Sequence, residues 1–212
     1  MTDLSHIFWL GGGPCSGKTT VSDVIGKEHN VSIYHVDQRR DELHALADSK
    51  RHPKTIELST RVRDEGWQAV VGQAFSLPVN ESIEMLKTYF REETDLAIQV
   101  LKSLPADRPI LVDSTHVLPE FAKEICGQDN AFFLLATDDV IRRRNRKRHA
   151  ENNSMLGFTW PPELIEKQER SFIARTNYIR RTAQEHGYFA LEIDGQLSPQ
   201  QVEILVVEHF GF

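Results

Sequence analysis

Apolar positions recur along the chain in two rhythms, one fit for strands and one for helices, and the two take turns. Ile7 to Leu10 is a short apolar run opening into glycines, which predicts a buried strand. Val21, Val24 and Ile25 then recur at helical spacing up to about Lys27. Val31 to Val36 is β-branched and aromatic, the composition of a second strand, and Asp37 to Ala47 looks helical. After Pro53, helices are predicted near Glu57–Val71 and Asn80–Leu104. In the second, Ile83, Leu86, Phe90, Ala97, Val100 and Leu101 share one face. Ile110 to Val112, ending at Asp113, and Ala131 to Ala136 read as strands three and four, with a short helix over Pro119 to Ile125, closed by Gly127, between them. A basic helix is expected from Asp138 to about His149, and a loop from Glu151 to Pro162. A long helix from Glu163 to His186, stopped by Gly187, and a fifth strand from Tyr188 to Ile193 follow. Ser198-Pro199-Gln200-Gln201 is a capping-box pattern with proline at the first helical position, opening a last helix to Phe210.

Such alternation implies an α/β three-layer sandwich, with helices on both faces of a five-stranded parallel sheet. No repeat or linker divides residues 1–212, so one domain is expected. The helical stretch between strands two and three exceeds what a crossover needs. Residues 38–104, approximately, are therefore expected to include a substrate-covering insertion.

Composition sharpens this. With 212 residues, 40% of them apolar and 26% charged, the chain can bury a core. It has no run of about eighteen apolar residues, so no membrane span is expected. Met1 to His6 lacks the basic start of a signal peptide. Two cysteines, Cys15 and Cys126, make no disulfide framework, and a cytoplasmic protein, monomeric or homodimeric, is expected. Net charge is −6, but six of the 25 basic residues lie between Arg142 and Arg148, leaving 19 against 31 acidic ones, or −12, elsewhere. Such concentration points to a localised anion site.

Gly12-Gly13-Pro14-Cys15-Ser16-Gly17-Lys18-Thr19 fits G-x-x-x-x-G-K-[ST], placed after an apolar strand and opening a helix that continues with Thr20. Glycines let the backbone curl so that successive N–H groups face one anion. The helix N-terminus and Lys18 add positive charge against the β- and γ-phosphates, and Thr19 offers a hydroxyl to Mg²⁺. Binding of ATP with Mg²⁺ is the expectation; a plain glycine turn with a solvated Lys18 fits the context less well. Ile110-Leu111-Val112-Asp113 matches an apolar strand ending in an acid that holds Mg²⁺ through its waters.

No N-K-x-D motif follows the fourth strand, and no L-S-G-G-Q signature is present, which disfavours GTPases and transporter ATPases. In its order of parts the chain resembles the small P-loop kinases: the adenylate kinase-like group with shikimate and gluconate kinases and the chloramphenicol phosphotransferases. Several of these carry an aspartate where Asp37 ends Tyr34-His35-Val36-Asp37, facing the γ-phosphate. The resemblance makes Asp37 the acceptor of the substrate hydroxyl's proton; alternatively it caps the helix opening at Gln38. Arg40 after Asp37 is similar to the polynucleotide 5′-kinase pattern, in which the arginine holds phosphate, although Arg39 and Arg40 also suit a solvated surface. The run Asp138 to Arg144 is similar to the adenylate kinase segment with an Arg pair four apart. That resemblance implies Arg144 stacked on adenine and Arg148 on phosphate. A merely solvated helix is the alternative, and little aromatic interleaving supports an RNA-binding stripe. Residues 144–176, approximately, then form a lid, with Arg170 and Arg175 as further candidates for the anion clamp. Ile193-Asp194-Gly195-Gln196-Leu197 resembles the segment whose backbone, here Gly195 and Leu197, holds the adenine ring. A plain turn into the last helix is the alternative there.

His35 and His116 follow strand ends beside the phosphates, and His116 is a candidate to touch substrate. For the acceptor no motif is found. Arg61 and Arg63 are weak candidates for an acceptor phosphate; Glu57, Asp64, Glu65, Trp67 and Gln68 could hold a polar or cationic molecule. The expectation is an ATP- and Mg²⁺-dependent kinase acting on a hydroxyl of a small metabolite or antibiotic. The alternatives are a nucleoside or polynucleotide 5′-hydroxyl kinase and a non-catalytic nucleotide-gated binding protein.

Overall fold

The computed structural model describes residues 4–151 and 160–212. Strands β1 (Ile7–Gly12), β2 (Ser32–His35), β3 (Ile110–Asp113), β4 (Ala131–Ala136) and β5 (Phe189–Ile193) form one sheet in the order β2-β3-β1-β4-β5. Every pairing is parallel. The helices are α1 (Lys18–Glu28), α2 (Arg40–Ala45), α3 (Pro53–Glu65), α4 (Trp67–Ser76), α5 (Val79–Leu101), α6 (Pro119–Ile125), α7 (Asp138–Ala150), α8 (Pro162–His186) and α9 (Pro199–Phe210).

Side chains alternate across the sheet and give it two cores. Leu10, Leu111, Phe132 and Leu134 pack with Val21 and Ile25 of α1 and Val202 and Val206 of α9. Ile7, Trp9, Val112 and Phe133 face the other way, against Leu96 and Ala97 of α5 and Ile179 and Ala183 of α8. All of β4 is buried, as a central strand covered on both faces must be.

Most boundaries agree with the sequence pattern, and the disagreements have local causes. The helix expected over Glu57–Val71 is two helices, because Gly66, at φ 83° and ψ 151°, breaks it. The first of them starts earlier, at Pro53, because the buried Glu92 carboxylate accepts the N–H groups of Lys54 (3.1 Å) and Thr55 (2.7 Å). The stretch after β2 is a 3₁₀ turn over Val36–Arg39 and only then α2, so Asp37 lies within the turn and caps no helix with its side chain. Gly127 is not a left-handed stop: its φ is −71° and α6 ends at Cys126 in extended geometry. Gly187 is such a stop, at φ 71°. The capping box at Ser198 is complete, Ser198 Oγ accepting from the Gln201 N–H (3.2 Å) and the Gln201 side chain from the Ser198 N–H (2.9 Å). The loop expected over Glu151–Pro162, central to the lid expectation, falls for the most part on residues 152–159, outside the described residues. Among the described residues no helix is long and apolar enough to cross a membrane.

Candidate active site

The strands' carboxyl ends carry the site. At the end of β1, Gly12 has φ 131°, and a Cβ there would lie 2.0 Å from the Leu134 carbonyl oxygen on β4, so only glycine fits. The loop then closes on itself. Ser16 Oγ donates to Gly13 O (2.9 Å), and the buried Lys18 Nζ donates to Gly12 O (3.2 Å) and Gly13 O (2.9 Å). Burial lowers the Lys18 pKa, with Asp113 and Asp37 pulling it back up. Cys15 is the one non-glycine residue at positive φ (62°) among the described residues, a conformation that costs about 1–2 kcal/mol. It turns its carbonyl out to Arg144, whose NH1 donates to it at 2.8 Å. Burial raises the Cys15 thiol above its ordinary pKa and outweighs the opposing pull of Arg148 and Lys18.

On the first turn of α1, Thr19 Oγ1 donates to Asp113 Oδ2 at 2.7 Å. His35 Nδ1 sits 2.9 Å from the same oxygen, and its Nε2 3.2 Å from Asp23. The register puts Asp113 beside both His35 and Leu10, so three parallel strand ends converge here. The hydrogen bond to Asp113 raises the His35 pKa. A hydroxyl and a carboxylate oxygen meeting at one point are hard donors that fit Mg²⁺.

In front of the loop lies a cavity of about 670 Å³. Asp37 enters it from the 3₁₀ turn, its Oδ1 3.5 Å from Thr115 Oγ1, 3.6 Å from His116 Nε2 and 3.9 Å from Arg40. Burial alone would raise its carboxyl, yet His116, Arg40, Lys18 and Arg175 hold it below the ordinary range. The Arg40 guanidinium lies over the Trp67 ring, 5.1 Å from its centroid. His116 stacks on Phe90 (4.5 Å, 28°), and burial lowers its pKa while Asp37 and Glu93 pull it back up. Its Nδ1 is 3.6 Å from Glu93, a fully buried carboxylate bonded to His44 Nε2 at 2.6 Å, and His44 Nδ1 meets Ser59 Oγ at 2.8 Å. Burial would raise the Glu93 carboxyl, but the His44 hydrogen bond and His116 hold it low. From α8, Arg175 reaches in between the Phe90 and Phe172 rings, 5.4 Å from each. Burial lowers its pKa to about 10, and its Nε has no hydrogen-bond partner among the described residues.

Of the residues singled out in the sequence, Pro14 to Thr20, Asp37, Arg40, Asp113, His116 and Arg148 line this one cavity. Arg148 NH1 lies 3.8 Å from Cys15 Sγ, while Arg144 braces the loop without lining the cavity. Gly195 and Leu197 lie off the cavity wall; Gly195 is a left-handed turn (φ 92°) facing Arg143. Among the acceptor candidates, Glu57, Arg61 and Trp67 line the cavity, but Arg61 is bonded to Glu65 (2.8 Å). Arg63 pairs with Asp64 on the surface. Arg170 lines a neighbouring pocket.

Glu93 and His44 escaped the sequence reading, although a signal exists for the first. Ile83, Leu86, Phe90, Ala97 and Val100 leave a gap at the spacing that Glu93 fills, which puts a carboxylate on an apolar stripe. His44 carries no such mark.

Fold and site together define an α/β protein with a five-stranded all-parallel sheet flanked by helices and a cleft at its carboxyl edge. No protein-family model and no curated protein matches the sequence. Among solved structures the chain is similar to TT1252 from Thermus thermophilus, with a TM-score of 0.52 and 19% identity over 95% of this chain and 96% of that one. At this identity the likeness is one of fold.

Proposed function

We propose that the protein is a P-loop kinase of the adenylate kinase-like kind, which transfers the γ-phosphoryl group of Mg²⁺-bound ATP to a hydroxyl of a small molecule. The observation that carries this reading is the meeting of Lys18, the Thr19–Asp113 pair and Asp37 around a single cavity at the strand ends. Residues 12–19 would cradle the phosphates, Lys18 leaving its loop carbonyls for phosphate oxygens. Thr19 and Asp113 would hold Mg²⁺, which when bound supplies charge neutralisation at the phosphates. Arg148 and Arg175, which line the cavity, would meet the transferring group, and Arg144 fixes the loop they act upon. In this reading residues 38–104, approximately, form the acceptor part and residues 144–176, approximately, the lid.

Asp37 acts as the base. Its carboxylate accepts the hydroxyl's hydrogen bond and takes the proton as the new P–O bond forms and the β–γ bridge bond breaks, releasing ADP. His116 supports the protonated product of that step. Its Nε2, 3.6 Å from Asp37 Oδ1, is placed to share that proton once the carboxylic acid forms.

ATP consumption with Mg²⁺ across pooled sugars, nucleosides, aryl alcohols and hydroxy acids, run beside Asp37→Asn, tests the proposal. Turnover falling by roughly 10²–10⁴ in the variant, with ATP affinity nearly intact, is expected. Equal losses in both would remove Asp37 as base, and tight ATP binding with no turnover on any pool would favour a nucleotide-gated binding protein.

A further inference from the structure

We infer that the acceptor is an uncharged molecule with a bulky apolar body and one hydroxyl directed at Asp37. This rests on the phosphotransfer reading for the hydroxyl, and on the cavity wall for everything else.

Beyond Asp37 the cavity changes character. Its wall there is made by Leu58 of α3, Trp67, Val70 and Phe75 of α4, and Met85 and Leu86 of α5. The charges on that wall are already satisfied by one another. Lys54 pairs with Glu57 at 2.7 Å, and Arg61 with Glu65 at 2.8 Å and Gln73 at 2.5 Å. A charged acceptor would give up its hydration for a wall whose α3 charges are already paired, and a polyol would leave hydroxyls unpaired against hydrocarbon. Among the described residues, the cavity's weakly partnered cations are Arg40, 3.9 Å from Asp37, and Arg175 and Arg148, and these stand beside Asp37 and the glycine loop, where the transferred phosphoryl group belongs.

A second observation agrees. Large apolar side chains left to water gather at this rim: Leu77 and Met85, each 37% exposed, line the cavity. Leu77 also lines the adjoining pocket of about 350 Å³, together with the 44% exposed Val79. Exposed apolar groups clustered around a concave apolar wall mark a site that an apolar occupant covers. An oligonucleotide would need a track of free basic side chains instead, and the paired arginines of α3 do not supply one.

Calorimetric titration of the full chain, with and without Mg²⁺ and a non-hydrolysable ATP analogue, tests the inference. The probes are 2-naphthaleneethanol, glucose, choline and AMP. The naphthyl alcohol is expected to bind about tenfold tighter than each of the others when the analogue is present, and Met85→Glu to weaken it about tenfold. Failure of the naphthyl alcohol to bind, or equal binding of glucose, choline or AMP, overturns the inference. Phosphorylation is read separately as ADP formed from Mg–ATP. Binding of the naphthyl alcohol without ADP leaves the apolar site standing and removes the phosphotransfer reading; ADP formed only with glucose, choline or AMP does the reverse.

Discussion

The two ends of the cavity are built in opposite ways. The glycine-loop end is a stretch of consecutive residues, Pro14 to Thr20, shaped by backbone geometry, and its close approach to β4 admits only glycine at position 12. The acceptor end draws its side chains from α3, α4, α5 and α8, segments that only the fold brings together. Chemistry common to every phosphate can be served by a peptide conformation, because the ligand's charge and shape do not vary. Recognition of one particular acceptor needs side chains whose neighbours are set only by the fold.

The sharpest way to break this comparison is Lys18→Ala. Saturating a wild-type site at about a hundredfold over Kd should raise Tm by roughly 5–10 °C, and the variant should lose that shift altogether. A shift that persists would mean the loop holds no triphosphate. Among the described residues the Lys18 hydrogen bonds stay within its own loop, to Gly12, Gly13 and Ser16, so each protein's shift is read against its own ligand-free Tm.

The same contrast explains what the sequence reveals and what it hides. Strand ends, glycine loop, Asp37 and Asp113 are legible because each is tied to a local pattern: an apolar run, a turn, a residue closing a strand. The order of the strands and the Thr19–Asp113 bond, spanning 94 positions, arise only when the sheet assembles. Gly66 separates α3 from α4, a break that apolar spacing alone does not show, because a glycine is also tolerated inside a helix. The chain from Asp37 through His116 and Glu93 to His44 joins four segments, so no spacing rule finds it.

That chain provides the second test, now of the acceptor end. Glu93→Gln keeps shape but removes the carboxylate facing His116 and His44. With the acceptor found by the panel, turnover should fall about tenfold, equivalent to about 1.4 kcal/mol in the barrier, while Mg–ATP affinity stays put. Glu93→Asp should recover part of the loss. A variant that melts at the wild-type temperature and turns over at the wild-type rate would leave Glu93 as a packing residue.

The smallest effect separates the two ends by sign. Burial depresses the pKa of His116 at the acceptor end, so the unfolded chain takes up this proton first. Its contribution to stability is full above the ordinary histidine value of about 6.5 and is lost as pH falls toward the lower folded value. At the phosphate end the Asp113 hydrogen bond raises the pKa of His35, so its contribution is full below about 6.5 and is lost as pH rises through the folded value. In metal-free buffer, His116→Gln should therefore reduce the loss of Tm on acidification below about pH 6.5, by about 1–3 °C, and His35→Gln should reduce the loss on the alkaline side by a similar amount. Thermal melts of the two variants across that range check it. If both change the same limb, the two histidines share one environment, and the division between a backbone-built phosphate end and a side-chain-built acceptor end does not extend to their protons.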